Sequence, residues 1–206
     1  MVNKYNYIAP FYKVISKLIY GNQLLKIQSE LIKKLPLEEK ICILGGGNGD
    51  ILPLIYEHAP QLEIEYIDTS SRMIALAKQK IHPLQRVQFY HLDAFQINLK
   101  SKHIYAGFFL DQFNENVIQS LIQKFESKNN QIWYVADFQL TKDTEWRFFR
   151  KIQLTLTILF FRLTTQHSLS YLPKIKAVFK KLNYSAQSEN SNNSFLFWAV
   201  FRKDSG

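Results

Sequence analysis

One segment, residues 41–50 with the sequence ICILGGGNGD, decides the fold of this chain of 206 residues. Four apolar residues are followed by four glycines within five positions, which is typical of a buried strand that ends in a tight loop before a helix. Glycine tolerates positive φ and has no Cβ to block a ligand, and the first N–H groups of the following helix are free. The segment therefore predicts a site of the nucleotide-binding type.

Two later strands are predicted to end at the same edge of the sheet. Residues 62–68 indicate a strand that ends in Asp68, about twenty residues after the glycines, where a carboxylate can hold a ribose diol. Residues 87–94 alternate between apolar and polar side chains and end in Asp93 and Ala94. Because the carboxyl ends of parallel strands meet at one edge, we expect these residues and the glycine loop to line one crevice.

Together these motifs resemble those of the class I S-adenosylmethionine-dependent methyltransferases. The resemblance rests on the loop at residues 45–49, on residues 68–74 with the sequence DTSSRMI, and on the Asp-Ala pair at 93–94. It implies S-adenosylmethionine as the cofactor, with the glycine loop along its methionine part, Asp68 on the ribose hydroxyls, Met73 against the adenine, and Asp93 and Ala94 at the adenine edge. The full set of expected cofactor-binding residues is Gly45, Gly46, Gly47, Asn48, Gly49, Asp68, Thr69, Ser70, Met73, Asp93, Ala94 and Phe109.

Two observations test this interpretation within the sequence. The position two before Gly45, often acidic in the family, is Ile43, so one polar contact to the cofactor is missing or supplied elsewhere. A dinucleotide-binding dehydrogenase is the rival interpretation, but its third glycine would fall at Asp50, and it does not explain the spacing of Ser70 and Met73.

The resemblance implies a Rossmann-like α/β fold. We expect a seven-stranded, mostly parallel sheet with helices on both faces and an antiparallel last strand. We expect residues 1–206 to form a single domain, divided into an N-terminal helical lid (1–35), a cofactor-binding core (40–139), a helical insert after strand five (140–170), and the last helix with the terminal strands (171–206). The run at residues 7–12 resembles the lid of the menaquinone and ubiquinone C-methyltransferases, although Lys13 stands where that branch usually has Asp. A plain amphipathic helix that covers the core is the alternative for this segment.

Hydrophobic periodicity predicts where the other elements lie. We expect helices at residues 50–57, 70–80 and 171–182, with Ser70 and Asn114 as helix caps. Strand four is placed at 103–109, strand five at 131–138, and the final strands at 183–188 and 195–202.

The composition indicates a soluble globular protein with a basic surface. The formal net charge is +9 and the pI is about 9.5, which fits nucleic acid, a membrane surface or an acidic substrate as partner. The lysines are scattered, however, which favours a solvated surface, and a peripheral membrane contact stays open. The single cysteine, Cys42, is expected to pack in the core, and no metal-ligand spacing is present. Since the chain lacks a signal-peptide core and an apolar run long enough to span a membrane, we expect a cytoplasmic protein.

Three residues are candidates for moving a proton. Methyl transfer from a sulfonium depends mainly on alignment, and a base is needed only if the acceptor must lose a proton. Asp111 and Asp137 follow strands four and five, and Tyr12 could reach from the lid. Each also has a structural interpretation: Asp111 as a helix cap, Asp137 as a support for the insert, and Tyr12 as a cover for the cofactor. His91 and His103 are expected to be structural, away from the crevice.

Two functional hypotheses follow. The first is a methyltransferase that acts on a small apolar or aromatic acceptor, because the segments 5–20 and 146–171, expected to roof the site, combine aromatic, aliphatic and basic side chains. The second is an RNA-directed methyltransferase or a non-catalytic protein that binds S-adenosylmethionine or nucleic acid. We expect the small-molecule acceptor rather than nucleic acid, and the sequence does not predict the oligomeric state.

Overall fold

The computed structural model describes residues 22–98, 101–126, 131–139, 171–190 and 195–204. Within these ranges the chain forms one seven-stranded sheet and five α-helices. The strands are β1 Lys40–Leu44, β2 Glu63–Asp68, β3 Val87–His91, β4 His103–Gly107, β5 Ile132–Phe138, β6 Tyr184–Asn190 and β7 Leu196–Lys203. The helices are α1 Gln23–Ile32, α2 Leu52–His58, α3 Ser71–Lys78, α4 Glu115–Phe125 and α5 Ile175–Lys181, and a 3₁₀ turn, Leu110–Gln112, follows β4.

The sheet has the strand order β3-β2-β1-β4-β5-β7-β6. Parallel pairing joins β3 to β2, β2 to β1, β1 to β4 and β4 to β5. Only at the end does the direction change, since β7 runs antiparallel to both β5 and β6. The chain reverses its course through the sheet beside β1, and open α/β sheets bind ligands at the carboxyl end of such a strand. The predicted Rossmann-like fold with an antiparallel last strand is confirmed.

An apolar layer lies on each face of the sheet because successive side chains of a buried strand point to opposite faces. On one face Ile41 and Ile43 pack with Leu31 of α1 and Ile55 of α2. On the other face Cys42, Leu44 and Trp133 are fully buried with side chains of α4 and α5. Burial raises the pKa of the Cys42 thiol, which keeps it neutral, and its predicted packing role is confirmed.

Several element boundaries differ from the prediction. Strand four ends at Gly107 rather than Phe109, because Phe108 adopts a left-handed φ of 54°, which turns the chain out of the sheet after the Phe108 N–H has bonded the Ala136 carbonyl oxygen of β5. The last helix begins at Ile175 rather than Tyr171, and Pro173 explains the difference because a residue before proline is disfavoured in a helix. Helix α2 begins at Leu52 instead of Asp50. The predicted terminal strands are confirmed within two residues at each end.

Both predicted helix caps are confirmed. The Ser70 hydroxyl accepts a hydrogen bond from the Met73 N–H at 3.2 Å, and the Asn114 side-chain oxygen accepts one from the Val117 N–H at 3.0 Å. Each bond satisfies a donor that the first turn of a helix leaves free.

Parts of the predicted organisation lie outside the described residues: the first helix of the lid with Tyr12, and the insert at 140–170. The division of the chain into lid, core and insert therefore stays a prediction. Among the described residues, no helix is long and apolar enough to cross a membrane, and no group of three His, Cys, Asp or Glu side chains is placed to hold a metal ion.

Candidate cofactor site

The glycine loop is packed tightly against aromatic rings on its inner side. A Cβ on Gly46 would lie 2.2 Å from Cζ of Tyr66, and one on Gly45 would lie 2.2 Å from Cδ2 of Phe109. The phenol of Tyr66 donates a hydrogen bond to the Gly47 carbonyl oxygen at 3.0 Å. Neither position has room for a side chain, so the loop lies directly on the rings of β2 and of the segment after β4.

Gly47 is different because its outer side is open. Its φ is 65°, and a Cβ placed on it would meet no atom within 4 Å. Its N–H donates to Oδ2 of Asp68 at 2.8 Å. The loop therefore presents bare backbone next to a carboxylate, which is the arrangement that lets a polar ligand approach the main chain closely.

Asp68 is the half-buried carboxylate at the end of β2. Oδ1 accepts a hydrogen bond from the Ser70 N–H at 2.8 Å, while Oδ2 takes the one from Gly47. Burial raises the pKa of the carboxyl group above its ordinary value, and the two backbone donors oppose that shift. The bonds orient the carboxylate, and each oxygen keeps a second lone pair that can accept a hydroxyl.

Lys80 holds the far end of the loop, and sequence reasoning missed it. Its Nζ donates to the Asn48 carbonyl oxygen at 2.6 Å and to Oδ1 of Asp50 at 2.7 Å. The Asn48 side chain is bonded to Asp50 as well, through Nδ2 at 3.1 Å. Asn48 thus contributes to loop structure. No local signal marks Lys80, because it lies about thirty residues downstream on the turn after α3.

The third predicted strand end reaches the same edge. Asp93 folds back on its own backbone, with Oδ1 accepting from the Phe95 N–H at 2.8 Å, and Ala94 beside it is buried. Met73 is buried on the first turn of α3, whereas Thr69 is exposed. Phe95, Phe113 and Phe109 form a chain of edge-to-face ring contacts with centroids 6.0 Å and 5.2 Å apart. An apolar wall therefore lies between the ends of β3 and β4.

His91 contradicts the sequence prediction. It is the last residue of β3, directly opposite Asp68 in the parallel register, and its Nε2 lies 3.1 Å from the Thr69 carbonyl oxygen. The expectation that it lies away from the crevice is wrong because β3 ends at His91 rather than at Asp93. An imidazole that is exposed at this edge supports the turn after Asp68.

His103 is structural, as predicted. It begins β4, at the opposite edge of the sheet, and its side chain is buried. Its Nδ1 lies 3.1 Å from Oη of Tyr134, and its Nε2 lies 3.1 Å from Oε2 of Glu39. Burial lowers the pKa of the imidazole, although the neighbouring Glu39 carboxylate opposes this.

The two acidic candidates after β4 and β5 form a buried pair. Asp137 is fully buried, and it accepts hydrogen bonds from the backbone N–H groups of Leu110, Asp111 and Phe138 at 3.1, 3.3 and 2.8 Å. Asp111 is 7% exposed, and its Oδ1 has no hydrogen-bond partner within the described part of the chain. Burial raises the pKa of Asp111 to about 7, and burial followed by the charge of Asp111 raises that of Asp137. The structure thus gives Asp137 a supporting role and leaves Asp111 with an unused oxygen.

Solved structures with the same fold were found, but neither a family model nor a curated protein matches the sequence. Magnesium protoporphyrin IX methyltransferase from Synechocystis PCC 6803, solved with bound SAH, superposes with a TM-score of 0.66 at 14% identity over 98% of both chains. An O-methyltransferase family protein from Burkholderia thailandensis has a TM-score of 0.66 at 16% identity over 92% of this chain and 59% of its own. Human N-acetylserotonin methyltransferase in complex with SAM has a TM-score of 0.63 at 12% identity over 92% of this chain.

The chain has the Rossmann-like methyltransferase fold. It spans only 55% of the length of the human enzyme, while it spans nearly all of the Synechocystis protein. Identities this low establish the fold, and the activity is therefore argued from the residues of the site.

Proposed function

We propose that the protein is a methyltransferase that binds S-adenosylmethionine and transfers its methyl group to a small acceptor. The single observation that carries the proposal is the open backbone of Gly47 beside the oriented carboxylate of Asp68. Comparison with proteins of the same fold supports it, since the three similar structures described above are those of methyltransferases or of a methyltransferase family protein.

The residues present fit the cofactor. Asp68 would accept the ribose hydroxyls through its unused lone pairs, and the glycine loop would lie along the methionine part. Asp93 has one carboxylate oxygen beyond its bond to the Phe95 N–H, and it would hold the adenine edge with Ala94. When bound, S-adenosylmethionine supplies a methyl group on a positively charged sulfur, a leaving group that needs no further activation. The chain's own contribution is alignment of the reacting atoms and exclusion of water.

The acceptor we propose is small and apolar or aromatic. The half-buried rings of Phe95 and Phe113 and the buried ring of Phe109 form one continuous wall, and apolar walls of this kind bind ring systems by burial. If the acceptor carries a proton that must leave, Asp111 is the group with an unused oxygen, Asp137 positions it, and Tyr12 is a further proposed proton acceptor.

The path of α1 supports the proposal that residues 1–35 cover the site. Its Gln28 side chain contacts Gly107 at the carboxyl end of β4, and Leu35, just after the helix, lies against His58 at the amino edge. The helix therefore runs from the carboxyl edge toward the amino edge, and the chain enters it beside the crevice. The finer resemblance to the menaquinone and ubiquinone branch is part of this proposal and rests on residues 7–12, outside the described ranges.

Charge pairing favours a small acceptor over nucleic acid. Lys176 pairs with Glu189, Lys203 with Glu126, and Arg86 with Glu63, so basic side chains on several sides of the molecule are locally neutralised. A protein that binds nucleic acid through phosphates would show retardation in a gel shift that falls steeply with salt. We expect no retardation at low salt.

Titration calorimetry with S-adenosylmethionine and S-adenosylhomocysteine tests the proposal. We expect both to bind the wild type, and Asp68→Asn to weaken binding by about 1–3 kcal/mol, because the variant lacks a charged acceptor for the ribose hydroxyls. Asp204→Asn, an exposed carboxylate beyond β7, is the matched control and should bind normally. Absence of binding to the wild type at millimolar ligand would refute the cofactor assignment, and unchanged affinity in Asp68→Asn would remove Asp68 from the site.

A further inference from the structure

The buried pair Asp111 and Asp137 lies next to the glycine loop. β1 and β4 are parallel neighbours, with Leu44 opposite Ala106, so the loop after β1 and the turn after β4 leave the sheet side by side. The ring of Phe109 packs on Gly45, and Asp111 follows two residues later on the 3₁₀ turn. The turn that carries Asp111 therefore begins with the aromatic ring on which the glycine loop lies.

The surroundings of the pair provide hydrogen-bond donors but few charges. Asp137 takes three backbone N–H groups, while Oδ1 of Asp111 takes none from the described residues. Glu115 begins α4 four residues after Asp111, and Tyr171 and Lys174 lie against it before α5. Glu115 is already bonded to the Tyr171 hydroxyl at 2.7 Å and to the Lys174 N–H at 3.1 Å. Within the described ranges, no lysine, arginine or histidine is among the groups that shift the pKa of Asp111 or Asp137, so there the ionised pair is stabilised by backbone N–H groups.

We propose that this carboxylate pair is the charge partner of the cofactor's sulfonium, so that the protein binds S-adenosylmethionine more tightly than S-adenosylhomocysteine once the pair has lost its proton. The inference rests on the proposed function. Both ligands share the adenosine and the amino acid, and they differ by the methyl group and its positive charge. Selection between them therefore requires a group that responds to that charge, and within the described site these two side chains combine burial, acidity and an unused oxygen.

The sign of the pH effect follows from the ionisation of the pair. Because burial raises the pKa of Asp111 to about 7 and raises that of Asp137 as well, the first ionisation of the pair falls near neutral pH. A neighbouring cation favours the ionised form and a neutral thioether does not. By linkage, only the binding of S-adenosylmethionine releases a proton and strengthens as the pH rises. Above neutral pH, S-adenosylhomocysteine would bind more weakly than S-adenosylmethionine, and this difference limits inhibition by the product.

Calorimetry at pH 6, 7 and 8, in buffers that differ in ionisation enthalpy, tests the inference. We expect the affinity for S-adenosylmethionine relative to S-adenosylhomocysteine to rise roughly tenfold over this range, the effect of a pKa shift of about one unit. Asp111→Asn should abolish the rise while both ligands still bind. Asp204→Asn, which removes an exposed carboxylate beyond β7, is the matched control and should keep it.

A measurement on the wild type alone keeps the inference testable if Asp111→Asn does not fold. The infrared carbonyl band of protonated carboxylic acids should lose intensity at pH 6–7 on addition of S-adenosylmethionine and keep its intensity with S-adenosylhomocysteine. A constant affinity ratio from pH 6 to 8, or a band unaffected by either ligand, would overturn the inference and leave the proposed function standing. If neither ligand binds at all, the proposed function fails and this inference fails with it.

Discussion

Replacing Gly46 with alanine should destabilise the protein through one defined clash. The added Cβ would lie 2.2 Å from Cζ of Tyr66 and 2.5 Å from both Cε atoms, well inside van der Waals contact. Tyr66 is fully buried and its ring packs against Phe89 with centroids 5.1 Å apart, so it cannot turn away into solvent. Gly46 lacks the positive φ of Gly47, and the cost is therefore steric rather than conformational.

The expected loss of stability has two parts. Forcing an extra methyl group into a packed core costs about 1–3 kcal/mol. A shift of the ring also lengthens the 3.0 Å hydrogen bond from the Tyr66 hydroxyl to the Gly47 carbonyl oxygen, a loss of about 0.5–1.5 kcal/mol. Together these predict ~2–4 kcal/mol for Gly46→Ala. Gly47→Ala meets no atom and should cost only the left-handed backbone strain, about 1–2 kcal/mol.

Urea unfolding followed by tryptophan fluorescence measures these differences. Tyr66→Leu lacks the Cε and Cζ atoms that clash, so adding Gly46→Ala to that variant should cost less than about 0.5 kcal/mol, and the double-mutant cycle should show strong coupling. A Gly46→Ala protein as stable as wild type, or a cost unchanged in the Tyr66→Leu background, would refute the packing we describe.

Two further predictions concern stability. Asp111→Asn removes a buried carboxyl whose pKa is raised to about 7 by burial. Because the folded wild type holds this proton more tightly than the unfolded chain does, wild-type stability should fall as the pH rises from 4 to 7, by up to about 1.4 kcal/mol per pH unit for this carboxyl. The stability of the variant relative to wild type should rise over that range in urea titrations, and a difference independent of pH would contradict the assignment. Ser70→Ala should cost about 1 kcal/mol by removing the cap of α3, whereas Ser71→Ala, exposed at the next position, should change stability by less than half of that.

The strand ends were predictable because each carries its signal within a few residues. Glycines after an apolar run and an acid at the end of the next strand mark the edge of a parallel sheet without reference to the rest of the chain. The ends of β3 and β4 were placed two residues too late. Phe108 has a left-handed φ, and the Asp93 carboxylate forms a turn by accepting a hydrogen bond from the Phe95 N–H. Neither a bulky aromatic residue nor a single acidic residue predicts such a conformation from the sequence.

The supports of the site could not be predicted, because they are contacts between distant positions. Lys80 reaches Asn48 across a helix, and Tyr66 fits under Gly46 only because β1 and β2 pair in one particular register. Asp111 and Asp137 were each predicted at a strand end, and their neighbourhood follows from the pairing of β4 with β5. Their unequal roles depend on three backbone N–H groups that converge on Asp137, which no residue pattern encodes.

Position 43 shows how the loop is maintained without the acid that the family often has there. Ile43 is fully buried in the same apolar layer as Tyr66, where an unpaired carboxylate would be strongly unfavourable. The Tyr66 hydroxyl and the Lys80 ammonium instead bond two loop carbonyl oxygens, while the Gly47 N–H is bonded to Asp68. The loop is therefore held in shape by contacts within the protein. Since position 43 contributes no polar group, the ribose hydroxyls, which both cofactor forms share, depend on Asp68, and for this reason we expect Asp68→Asn to weaken both cofactor forms rather than one.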